Sequence, residues 1–409
     1  MTPRSTCAGS RAGTSPRRGL LLAAAERRRI AGEAFFAAEA ERIARLCHRM
    51  AERFARGGRL LAFGEGPVAR SDARHVAVEF VHPVIVGKRA LPALALTAEG
   101  GPVGGQVALL AEQHDIAFAF GSHPDTAAAV LLARERGCLT LADAPVGAEW
   151  EIVAEGLEPF IAQELLETAY HLLWELVHVF LEHPGLLEGR TERPAHDGGA
   201  ASFLYPFLAQ SEVGLDAVLA DVRRSVLVKG AEIGELRAQT LREGEQELDA
   251  AARGIGARLA AGGRVLALGN GGSATDAMDA VADLRSPPGG WRAWPAIDLT
   301  EDPGILTAIA NDVGHEAMFS RQIIAHGRPG DVLIAFTTSG GSRNVIAALA
   351  EARRRGLLTL ALVGYGGGRI AAESLADHVI VTRSEHIPRI QEAQASAWHV
   401  LRELVEAGG

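Results

Sequence analysis

The chain has 409 residues, of which 48% are hydrophobic and 22% charged, with a formal net charge of −9. That length accommodates two domains with a core in each, the composition is that of a globular protein, and the acidic balance gives no reason to expect a nucleic-acid partner. Cys7, Cys47 and Cys138 have no paired spacing, which indicates neither a disulfide framework nor a thiolate metal site and fits a reducing cytoplasm, and no apolar run is long enough to span a membrane.

In chain order, residues 1–18 read as a disordered tail, and the apolar segment after it, Leu20 to Ala25, is too short for a secretory signal. Ile30, Phe35, Ile43, Leu46, Met50 and Phe54 recur at helical spacing and predict a long helix over residues 22–56. The arginine clusters Arg27 to Arg29 and Arg353 to Arg355 sit in helical patterns and read as solvated faces. The phrase Gly57-Gly58-Arg59-Leu60-Leu61-Ala62-Phe63-Gly64 returns as Gly262-Gly263-Arg264-Val265-Leu266-Ala267-Leu268-Gly269. Asp115 to Phe120 matches Asp331 to Phe336, Arg136 to Leu141 matches Arg355 to Leu360, and Gln163 to Val177 matches Gln391 to Val405 without a gap. The pattern is that of a tandem duplication, with copies over 19–182 and 215–409 joined by a glycine-, proline- and charge-rich linker, 183–214. Within each copy strands alternate with helices, which argues an α/β fold whose parallel sheet is covered on both faces.

Two loops of the second copy carry chemistry. Arg264 to Leu268 has strand character and breaks at Gly269-Asn270-Gly271-Gly272-Ser273 before a helical pattern begins. Glycines permit close backbone approach and the first helical N–H groups have no internal partners, so the turn suits an anion such as phosphate. A second buried strand ends in Thr337-Thr338-Ser339-Gly340-Gly341-Ser342, where four hydroxyls and two glycines form another cradle.

These loops resemble the sugar isomerase (SIS) fold. With Ala308 to Asp312 (AIAND), Met318 to Gln322 (MFSRQ) and Arg389 to His399 (RIQEAQASAWH), residues 215–407 resemble phosphoheptose isomerases. The resemblance implies two tandem SIS-type domains, each three-layer αβα and flavodoxin-like, and a phosphorylated sugar as ligand. It also implies substrate contacts from Asn270, Gly271, Gly272, Ser273, Asn311, Asp312, Thr337, Thr338, Ser339, Ser342 and Gln391. In that family a His and a Glu four residues apart follow the glycine turn, and a Gln and a His eight apart occupy the last helix; these are its metal-binding and catalytic positions. The second copy departs from the pattern, with Asp279 and Asp283 in place of His and Glu, while Gln391 and His399 are kept. Losing the imidazole weakens the case for zinc there.

The first copy departs in the opposite way. His75, Glu79, Gln163 and His171 match the family's set, but Glu65, Pro67 and Val68 replace the Asn, Gly and Ser of the turn, and Gly121 to Asp125 replaces the hydroxyl-rich loop. Gln and His eight residues apart on one helix stand about 12 Å apart along its axis, too far to share an ion, so neighbouring copies must share sites if both residues serve one. Two arrangements stay open: a composite site with phosphate contacts from one copy and chemistry from the other, or separate sites with the first copy as scaffold.

By resemblance the activity is an aldose–ketose isomerisation of the sedoheptulose 7-phosphate type, with Asp283 or Glu79 as base, His399 or His171 as acid, and zinc or another divalent ion polarising the carbonyl. A sugar-phosphate-binding sensor or assembly module is the alternative. No nucleotide cofactor, nucleic acid or membrane is expected, and a homodimer forming a pseudo-tetramer of SIS domains is.

Overall fold

The computed structural model describes residues 16–84, 88–97, 100–187 and 214–408. Residues 1–15 and 188–213, which hold most of the expected tail and linker, lie outside the described residues. The first helix, α1 (Pro16–Ala55), begins inside the expected tail. It is followed by β1 (Leu60–Gly64), α2 (Pro67–Val81), β2 (Ala93–Leu96), α3 (Val103–Leu110), β3 (Ile116–Phe120), α4 (Pro124–Glu135), β4 (Leu139–Ala142), β5 (Trp150–Glu151) and α5 (Pro159–Leu181). The second half contains α6 (Leu215–Glu243), α7 (Glu245–Ala260), β6 (Val265–Leu268), α8 (Gly272–Arg285), β7 (Ala296–Asp298), α9 (Pro303–Asp312) and α10 (Met318–His326). It ends with β8 (Val332–Thr337), α11 (Arg343–Arg354), β9 (Leu358–Val363), α12 (Gly368–Ala372), β10 (His378–Val381) and α13 (Ile387–Ala407).

Each half is a five-stranded sheet, ordered β2-β1-β3-β4-β5 in the first and β10-β9-β8-β6-β7 in the second, which is the same order read from opposite edges. Every pairing is parallel. The central strands are apolar but for the terminal Thr337, as in LLAFG, IAFAF and VLIAFT, and every residue of these three is buried, because helices cover both faces. The order is flavodoxin-like, so the direction in which strands are added to the sheet reverses between the parallel neighbours β6 and β8, and the loops after those strands lie side by side at the sheet's carboxyl edge.

The halves meet through helices. Helix α1 packs along α6, α2 against α8, and α5 against α13. Helices α5 and α13 carry apolar and charged side chains that are buried together, which places ionisable groups inside the contact between the halves. The expected solvated face at Arg27 to Arg29 holds for Arg29 and fails for Arg28. That side chain is 1% exposed because its guanidinium bonds Glu164 and Glu403 across three helices.

Candidate active site between the two halves

The turn after β6 keeps the geometry its glycines predict. Gly271 has φ +58 and ψ −128, a conformation L side chains rarely adopt, and no side chain caps α8, whose Ser273 and Ala274 N–H groups donate to the Asn270 and Gly271 carbonyls at 3.1 and 2.9 Å. Ser273 is buried beside them. In the second loop Thr337 Oγ1 accepts from Gly340 N at 3.3 Å, Gly340 has φ +61, and Ser342 stands at the N-cap of α11 without capping it. Thr338 and Ser342 are half-buried and Ser339 is exposed. A reciprocal amide pair between Asn270 and Asn344, at 3.1 and 2.8 Å, ties the loops together. Asn311 and Asp312 lie at the exposed end of α9, bonded to each other at 2.7 Å.

The matching loops of the first half have other occupants. Glu65 pairs with Arg70 at 3.3 Å, Pro67 opens α2, and His123 Nδ1 caps α4 by accepting from Asp125 N at 3.2 Å. The donors a phosphate would need are thus capped by the chain itself or absent.

Gln391 connects the cradle to the other half. Its amide packs on Gly272 so closely that a Cβ there would collide with it, and its Nε2 donates to His75 Nε2 at 3.4 Å. His75 is fully buried, with Nδ1 3.0 Å from the Tyr170 hydroxyl and Nε2 3.2 Å from His171 Nε2. His171 Nδ1 lies 2.8 Å from Glu392 Oε1, and Arg389 pairs with the same carboxylate at 2.8 Å. The bonding pattern has His171 donating Nδ1–H to Glu392, and His75, accepting from Gln391 at Nε2, donating Nδ1–H to Tyr170. The two Nε2 atoms face one another at 3.2 Å with the Gln391 amide beside them, a spacing that two imidazole ligands of one cation would have.

The surrounding carboxylates reinforce that fit. Glu79 Oε2, Glu167 Oε1, Asp276 Oδ2 and Glu392 Oε2 are buried without hydrogen-bond partners. Burial pushes the Glu79 carboxyl up to about 7 against the pull of His171, with Glu175 and Glu392 adding to the rise. Glu167 is raised well above the usual range by burial and by the nearby Asp276 and Glu392. Asp276 is likewise raised by burial and by Glu79. Burial, then His171, holds His75 well below the usual imidazole value, so it is neutral and able to ligate. Two imidazoles beside orphaned carboxylate oxygens are a donor set suited to a divalent ion.

The equivalent place on the other side of the interface is built differently. His399 Nδ1 lies 2.8 Å from Glu164 Oε1, mirroring His171 and Glu392, and its Nε2 is 3.5 Å from Asp283. Here all the groups are paired: Trp398 Nε1 donates to Asp283 at 2.8 Å, Ser396 and Arg28 donate to Glu164, and Phe160 stacks on the His399 ring at 4.3 Å. Burial opposes the charge on His399, but Asp283 and Glu164 outweigh it and raise the imidazole to about 9. Burial would raise Glu164, yet Arg28, His399 and Arg237 hold it far below the usual carboxylate range.

The expected residues are therefore regrouped. Gln391 joins His75 and His171 of the other half, while Asp283 and His399 join Glu164. Asp279 is raised well above its usual range by burial and by Asp72 and Asp283, with a hydrogen bond from Ser71 opposing this. Gln163 is half-buried at the start of α5. Sequence reasoning missed Glu164, Glu167, Tyr170 and Glu392. The available signals were the Gln-Glu pair repeated at 163–164 and 391–392 and the four-residue spacing of Glu167 and His171.

Residues 230–364 match the SIS domain family. The phosphoheptose isomerase of Rhodospirillum rubrum is 45% identical over 153 residues, which span 37% of this chain and 80% of that protein. That of Nitratidesulfovibrio vulgaris is 36% identical over 192 residues, 46% of this chain and 89% of the relative. Among solved structures, the C-terminal domain of glucosamine-fructose-6-phosphate aminotransferase from Francisella tularensis covers 98% of this chain and 98% of its own. Its identity is 10% and its TM-score 0.59, a likeness of fold alone. With identity at this level across most of the relatives' length, and two SIS-type sheets in tandem, the chain belongs to the phosphoheptose isomerase family of SIS-domain proteins.

Proposed function

We propose that the chain isomerises a phosphorylated sugar between aldose and ketose, of the sedoheptulose 7-phosphate type, at one site composed from both halves. The supporting observation is Gln391, which packs on the phosphate cradle at Gly272 and bonds His75 of the other half. The N–H groups at the start of α8 and the hydroxyls of Ser273, Thr338, Ser339 and Ser342 hold the phosphate. The sugar's first two carbons then lie toward His75, His171 and Glu79.

Glu79 is the base. Its carboxylate takes the proton from C2 of the aldose and returns it to C1 through an enediol, while the hydroxyl proton passes between O2 and O1. Burial raises this carboxyl to about 7, which strengthens it as a base near neutral pH. His75 and His171 face the reacting end, and Glu392 fixes the orientation of His171. A divalent ion, zinc fitting the two imidazoles and a carboxylate, would polarise the carbonyl when bound. Asp283 and His399, bound up with Glu164, Arg28 and Trp398, serve the joint between the halves.

The test is conversion of sedoheptulose 7-phosphate by the purified chain. Glu79→Gln should lower kcat by about 100-fold or more with little change in KM. An active Glu79→Gln variant refutes the base assignment. A wild-type chain that binds sugar phosphates and converts none supports the sensor reading. The chain is also proposed to pair as a homodimer, measurable as mass by light scattering.

A further inference from the structure

We propose that Glu167 supplies the carboxylate ligand for the cation held by His75 and His171, so that Glu79 is left free for proton transfer. The inference rests on the composite-site reading above and assigns a residue that the family's motif does not contain.

Glu167 lies one helical turn before His171 on α5, so both side chains project from one face. Among the described residues, ligand atoms of His75, Glu167 and His171 all lie within 4.8 Å of one another, and Glu79 falls outside that trio. Glu167 is 6% exposed and its Oε1 has no partner, an expensive arrangement for a carboxylate with nothing to coordinate. Two imidazoles and one carboxylate form a three-ligand set that leaves a position open to substrate, and the Gln391 amide stands beside it.

The comparison between halves supports the same assignment. In the ungapped match of α5 with α13, Glu167 corresponds to Ala395 and His75 corresponds to Asp279. The twin position therefore lacks both the added carboxylate and one imidazole. There the buried Arg28 guanidinium supplies positive charge, pairing with Glu164 at 3.0 Å. Among the described residues, the two related positions thus hold one cation site.

The experiment titrates the metal-stripped full chain with Co2+, whose visible absorption reports the ligand set. The wild type should bind one equivalent. Glu167→Gln should weaken binding by about tenfold or more, and Glu79→Gln should leave affinity within about twofold while turnover collapses. Weakening by Glu79→Gln with unchanged binding in Glu167→Gln overturns the assignment, and two equivalents in the wild type overturn the single site. Should Glu167→Gln not fold, Glu167→Asp decides: weaker binding with a shifted absorption band supports the ligand role, and unchanged binding and band overturn it. A wild type that converts sugar phosphate without binding Co2+ overturns the cation site alone. One that binds Co2+ through Glu167 and converts no sugar phosphate retains the site and refutes the isomerase.

Discussion

His171 and His399 occupy matching places on matching helices, yet they have different partners. His171 sits between Glu392 and a neutral His75, whereas His399 sits between Glu164 and Asp283 and is held charged. A buried charge on this scale is tolerable only because each group is paired and hydrogen-bonded. Since folding raises the His399 pKa from 6.5 to about 9, its contribution to stability is fully present below pH 6.5 and is lost as pH rises through about 9. The shift bounds that contribution at about 3 kcal/mol. Urea unfolding between pH 6 and 9.5, in roughly half-unit steps, should show wild-type stability falling over this window more steeply than in His399→Gln. Parallel curves would show that His399 carries no charge in the fold.

At the scale of elements, one helix start decides how the cradle and the chemistry meet. Helix α8 begins at Gly272, directly under the Gln391 amide, and a Cβ at that position has no room unless Gln391 moves. Gly272→Ala should therefore displace Gln391 from both the cradle and His75. The expected outcome is a rise of about tenfold in KM for the sugar phosphate, with a small change in thermal midpoint, since Ala is a better helix former than Gly. An unchanged KM would show that Gln391 does not touch substrate. The first half opens its equivalent helix with Pro67, whose missing N–H suits a helix start and removes a donor an anion would use.

For the whole molecule, the proposed site makes the two halves one functional unit, because each half contributes groups that the other lacks. The cradle loops belong to the second half, and His75, Glu79, Glu167 and His171 belong to the first. His75→Ala and Ser342→Ala should each abolish or strongly reduce turnover, and mixing the two purified variants should restore none, because the complementary groups meet within a chain. Recovery of activity on mixing would place the site between chains instead.

Much of this was legible in the sequence. The strand–glycine–helix runs at Gly269 and Thr337, the ungapped match from Gln163 to Gln391, and the all-apolar strands are local patterns, and local patterns specify parallel αβ units directly. Set against the family's motifs, each half also lacks residues that the other carries. The sequence did not show which residues would meet, because the eight-residue spacing of Gln and His called for sharing between copies without fixing the partners. Tertiary structure fixed the partners: α5 and α13 pack against each other, so Gln391 and Glu392 reach across to His75 and His171 while Glu164 reaches back to His399. Arg28 was read as solvated for the same reason. Its helical spacing is a property of the chain, whereas its burial depends on carboxylates 136 and 375 residues away that only folding brings beside it.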